Sequence, residues 1–168
     1  MENSFDRSYL IENSDIMKHT LASLLNIAGS KTSVNYARSS VKNLLRDLEG
    51  NYDFLKYVNI KTLKQIENNK DAINVESNMD DIQPKEIGKA IQELINVLKF
   101  HLGKKAGYFF IKEFRDDLGD EYHTYIRDLG VNLRLAELQE ELGKIDIEQY
   151  EIKEDSKANI AFIEKKSS

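Results

Sequence analysis

Val34, Ala37, Val41, Leu44, Leu45 and Leu48 recur at steps of three and four through an otherwise polar segment. That is the period of an α-helix with one apolar face. Such a helix cannot hide its stripe alone, so it demands a partner. The preceding segment supplies one: Met17, Leu21, Leu24, Leu25 and Ala28 share the same period. Ser14 with Asp15 behind it predicts the start of this first helix, and Gly29 predicts its left-handed end. Ser30 to Glu49 then reads as the second helix, stopped by Gly50-Asn51. Residues 14–50 are therefore expected to form a helical hairpin. Residues 1–13 read as a polar leader.

The period changes after Tyr52. Phe54 to Ile60 is rich in β-branched and aromatic residues, Asn68 to Asp71 is turn-like, and Ile73 and Val75 alternate with polar neighbours. Residues 52–79 thus predict two short strands around a loop. Pro84, the only proline, fits the first turn of a helix. Ile87, Ala90, Ile91, Leu94, Ile95, Leu98 and Leu102 then keep strict helical period. Gly103 and Gly107 are expected to break that long helix, and Gly119, Gly130 and Gly143 to end helices at 108–118, 120–129 and 131–142. These make 84–143 a helical region. Alternation returns in 145–163, read as a C-terminal hairpin pairing with strands from 54–76 in a small antiparallel sheet. The expected architecture is α+β and helix-dominated, a single domain over 1–168, with an all-α bundle as the alternative.

Composition narrows the function classes. Hydrophobic residues make up 40% of the 168 and charged residues 32%, a globular balance. A chain of this length buries roughly 70% of its unfolded surface. No cysteine is present, so disulfides, thiolate metal sites and cysteine nucleophiles are excluded. The net charge of -5 disfavours general nucleic-acid binding. The acidic start, with Glu2 and Asp6, is unlike a secretory signal, and no apolar run approaches the ~20 residues of a membrane span. The expected address is the cytoplasm, with no membrane contact.

Candidate chemistry is sparse. From His19 the chain reads His19-Thr20-Leu21-Ala22-Ser23-Leu24-Leu25-Asn26-Ile27-Ala28-Gly29. An exposed histidine with a helix-ending glycine ten residues on resembles the hairpin of histidine-phosphotransfer domains. That resemblance implies His19 as a phosphoryl acceptor, its imidazole acting as nucleophile. Such domains carry a lysine and a glycine where this chain has Ala22 and Ser23, and the match spans a helix and a turn. Gly29-Ser30-Lys31-Thr32 has the ending of a phosphate loop but lacks its leading glycine and its preceding strand, so Ser30 reads as a helix cap.

Aromatic residues gather between Phe100 and Tyr125. Phe100, Tyr108, Phe110 and Tyr122, with His101, Lys104, Lys105 and Arg115, form a candidate pocket for an acidic or aromatic ligand. Asp120 and His123, three residues apart, are the candidate metal ligands, weighed against acidic capping of a helix start. No catalytic signature and no specific cofactor emerge. The leading expectation is a non-catalytic regulatory or protein-interaction module of a signalling kind that self-associates, its partner a second copy of itself or another protein. The alternatives are a sensor of a small-molecule ligand at 100–125 and phosphotransfer through His19.

Overall fold

The computed structural model describes residues 11–102, 110–138 and 142. Helix α1 spans Asn13–Lys31, and almost all of its circumference is buried. The run Thr20 to Leu25 leaves no polar face, and a helix apolar all round belongs in the interior. It is accordingly the central strut of the fold, and one stripe understates its role. Helix α2 (Val34–Leu48) packs along one side of it. Two short strands, β1 (Val58–Ile60) and β2 (Ile73–Val75), pair antiparallel with Asn59 opposite Asn74, and β2 lies against α1. The single turn α3 (Asn69–Ala72) leads into β2. Helix α4 (Pro84–His101) closes another side with Ile87, Ile91, Leu94 and Ile95 buried. Helices α5 (Phe110–Leu118) and α6 (Asp120–Asp128) complete the wall around α1. Residues 133–138 are again helical. The fold is helix-dominated α+β, as the periodicity predicts.

Several boundaries differ from expectation, each for a local reason. Helix α1 does not stop at Gly29. It continues to Lys31, where Thr32 closes it by giving both its amide (3.1 Å) and its hydroxyl (2.7 Å) to the Ala28 carbonyl. Gly29 lies inside the helix, where a Cβ would make only an ordinary van der Waals contact with Val34 Cα at 3.6 Å. The cap of α2 is therefore Ser33, whose hydroxyl accepts the Tyr36 amide at 3.1 Å, and Ser30 lies inside α1. Capping of this kind stabilises by about 1 kcal/mol.

Ser14 is likewise not a cap by its own side chain. Helix α1 begins one residue earlier, and its free Ser14 amide is taken by Asp80 at 2.7 Å. Asn13 adds Nδ2 bonds to the Met79 and Ile82 carbonyls. The helix start is thus capped in trans by the turn at Ser77–Asp81, a contact that no local pattern encodes. Within 52–79, Asp53–Tyr57 winds into a 3-10 turn, so the first strand is shorter than the apolar run. The expected glycine breaks at 119 and 130 hold: both adopt positive φ, 86° and 102°, which other residues resist. The expected break at 103–107 and the hairpin at 145–163 lie outside the described residues.

Candidate binding surface

The surface is built where α6 ends. The Gly130 amide donates to the Arg127 carbonyl at 2.9 Å and the Val131 amide to Ile126 at 3.0 Å, closing the helix. The turn is pinned to α4 because the Asn132 amide donates to Gln92 Oε1 at 2.8 Å. Gly88 makes this approach feasible: a Cβ there would collide with the Leu129 carbonyl. Asn132 Oδ1 then accepts the Leu135 amide at 2.9 Å and starts the helical segment 133–138.

That segment has two apolar sides. Val131, Leu133 and Ala136 enter the core. Leu135, Leu138 and Leu142 stay 54%, 46% and 61% exposed. Within the described segment 133–138, the step of three puts Leu135 and Leu138 on one face. Beside them lies a pocket of about 780 Å³ lined by Arg115, His123, Arg127, Arg134, Glu137 and Leu138. Arg115 donates from Nη1 to Glu137 Oε2 at 2.9 Å. Arg127 and Arg134 make no ion pair among the described residues. Burial, then the charges of Arg115 and Arg127, depress the His123 imidazole below its ordinary range, against a weaker pull from Asp120 and Glu137. Among the described residues, the pocket lining thus carries three arginines and one carboxylate on a protein of net charge -5.

The residues expected to form an aromatic ligand site do not converge. Phe110 is buried and stacks with Phe114 in the core, because the α5 stripe of Phe110, Ile111, Phe114 and Leu118 faces inward. Phe100 is 83% exposed at the far end of α4, edge-on to His101. His101 lines a separate cleft of about 620 Å³ with Leu98, Ala37 and Asp47. Tyr122 stacks on His19, ring centroids 3.6 Å apart and planes 8° from parallel. Arg115 alone belongs to the pocket above, and Lys104, Lys105 and Tyr108 lie outside the described residues. Asp120 is exposed and His123 faces two arginines, whose charge opposes a cation there. Among the described residues no three His, Asp or Glu groups are placed to hold a metal.

His19 is half-buried, contrary to the exposure expected of it. Its Nε2 lies 3.1 Å from the Leu118 carbonyl. A carbonyl only accepts, so Nε2 carries the proton and donates, leaving Nδ1 as the basic nitrogen.

A second arginine environment is centred on α2. Arg38 is fully buried. Its Nε donates to Asn69 Oδ1 at 2.9 Å and Nη1 to the Leu63 carbonyl at 3.3 Å, while Nη2 has no partner among the described residues. Asn69 passes the chain on to Asn26 Oδ1 (2.7 Å), and Asn26 to Asp117 Oδ2 (3.1 Å).

Sequence reading missed Arg38, Arg127, Arg134 and the outward leucines. A signal for the last was present: Leu133, Leu135, Ala136, Leu138 and Leu142 are more apolar residues than one buried face uses. The chain matches no protein-family model, no curated protein and no solved structure. Among the described residues no helix is long and apolar enough to cross a membrane.

Proposed function

We propose that the protein is a non-catalytic interaction module that docks an acidic, apolar-faced segment of a partner protein. One observation carries this reading. An outward pair, Leu135 and Leu138, adjoins Arg127 and Arg134, which have no carboxylate partner among the described residues. An amphipathic helix with acidic flanks complements both parts, burying its stripe on the leucines and its charges on the guanidiniums. A second copy of the chain is the weaker occupant. A two-fold interface sets a patch against its own copy, so a second copy brings the same three arginines and one carboxylate, not the acidic charge that Arg127 and Arg134 lack.

The test uses two helical peptides with the same leucine stripe, one flanked by glutamates and one by lysines, read by fluorescence anisotropy. The acidic peptide binds and the basic one does not, and charge reversal at Arg127 and Arg134 inverts that preference. Equal binding of both peptides, or of neither, removes the proposal. Sedimentation velocity of the protein alone addresses the second copy: a dimer lost on Leu135→Glu would make self-association the function.

A sensor of an acidic small molecule draws on the same arginines and a pocket of ligand size. A reproducible added mass in native mass spectrometry supports that alternative. Phosphotransfer requires the His19 ring to give up both the Leu118 carbonyl and the Tyr122 stack, or to react through Nδ1. An acid-labile phosphoryl group lost in His19→Ala would support it.

A further inference from the structure

We propose that the arginine-lined pocket receives a phosphomonoester carried on the partner segment, that is, a phosphorylated side chain. This rests on the interaction reading above and names the group that the pocket recognises. The argument is one of charge and donors. Arg115, Arg127 and Arg134 bring three guanidiniums to the pocket lining, and Glu137 is the only carboxylate there among the described residues. Glu137 is already engaged by Arg115 at 2.9 Å. Two positive charges therefore remain without a counter-charge among the described residues.

A glutamate side chain brings one charge and two acceptor oxygens. A phosphomonoester brings close to two charges at neutral pH and three acceptor oxygens. Planar guanidiniums meet such a group with paired N–H bonds. The pocket therefore matches a phosphorylated side chain better than a carboxylate. Its fourth basic group, His123, faces Arg115 and Glu137 from the packed elements and Asp120 and Arg127 from its own helix. A dianion placed among them opposes the arginine charges on His123 and favours its protonated ring, which adds a donor. Leu138 lies on both the pocket wall and the exposed stripe, so one bound segment reaches both parts.

The experiment measures anisotropy with three versions of the acidic leucine-striped peptide, carrying serine, glutamate or phosphoserine at one position. Inorganic phosphate is the competitor, and ionic strength is held constant. The phosphoserine peptide should bind at least about tenfold more tightly than the serine peptide and more tightly than the glutamate peptide. Arg127→Ala and Arg134→Ala should each remove most of that advantage while the serine peptide changes less. Both arginines are exposed, so neither variant threatens folding. In NMR spectra the His123 ring resonances should titrate at higher pH when the phosphoserine peptide is bound.

Equal affinity of the serine and phosphoserine peptides overturns this inference and leaves the interaction reading standing. Binding of none of the three peptides overturns both. Inorganic phosphate that binds as tightly as the phosphoserine peptide, by the same His123 resonances, shows a free-phosphate site and overturns the assignment to a partner segment.

Discussion

Arg38 and the pair Arg127 and Arg134 are the same residue type put to opposite uses. Arg38 is sealed in the interior, and both of its acceptors, Asn69 Oδ1 and the Leu63 carbonyl, are neutral. Arg127 and Arg134 stand open, beside a pocket with one carboxylate already taken. A guanidinium does not lose its proton inside a protein. A buried one must therefore be satisfied by its surroundings, and Arg38 reaches that only in part, since Nη2 has no partner among the described residues. It pins the loop before α3 to α2 and so works for the fold. The open pair does nothing evident for the fold and is free to meet a ligand. Burial, more than residue type, separates the two roles.

The largest effect should come from the buried member. Arg38→Ala removes a buried side chain, leaves a void, and strips two acceptors of their donor, so it should cost about 2–4 kcal/mol in urea denaturation. Arg38→Met keeps the volume and removes the incompletely paired charge. Its cost should stay within about 1 kcal/mol, and a gain would not surprise. If Met costs as much as Ala, the charge itself holds the loop and the contrast drawn above is wrong.

Gly88→Ala comes next. The new methyl meets the Leu129 carbonyl, so α4 and the turn carrying Gly130 must separate. The strain should exceed the roughly 1 kcal/mol that alanine gains over glycine in a helix and leave a net loss of about 1–3 kcal/mol. Thermal unfolding measures that loss. Peptide affinity should fall as well, because the floor of the pocket moves with the turn.

Arg127→Ala with Arg134→Ala should change unfolding stability by no more than about 0.5 kcal/mol, yet weaken binding of an acidic peptide about tenfold or more. A large loss of stability in this double variant would erase the difference between the two arginine environments.

The smallest effect concerns His123. Its folded imidazole binds a proton less readily than the unfolded one, whose value is near 6.5. Between the depressed folded value and 6.5 the unfolded state holds more protons, so stability rises with pH there. The contribution is fully present above 6.5 and is lost as pH falls through the folded value. His123→Gln should flatten that part of the stability curve, as urea midpoints across the window would show.

The segments legible in advance are those whose period is local. The stripes of α2 and α4 are read directly, because side chains three and four apart meet wherever the helix sits. The two short strands show themselves by β-branched alternation at Ile73 and Val75 and by the apolar run ending at Ile60. Gly119 and Gly130 mark breaks because only glycine accepts positive φ cheaply. The boundaries that failed depend on distant partners. Asp80 caps α1 from more than sixty positions away. The aromatic cluster misled for a related reason. Nearness along the chain gathers Phe100, Phe110 and Tyr122, but the helices turn them toward an exposed end, the core and His19 respectively.

The amino-acid sequence by itself determined the helix-dominated α+β class, the short strands, and the absence of cysteine chemistry, since each follows from local period or from composition. Only the tertiary structure decided which charges are paired. Arg115 finds Glu137 across two helical segments, Arg38 finds amides in place of carboxylates, and Arg127 and Arg134 find no carboxylate among the described residues. Electrostatic pairing acts over a few ångströms in space and is indifferent to separation along the chain. For that reason the candidate binding surface became visible only when the helices were set side by side.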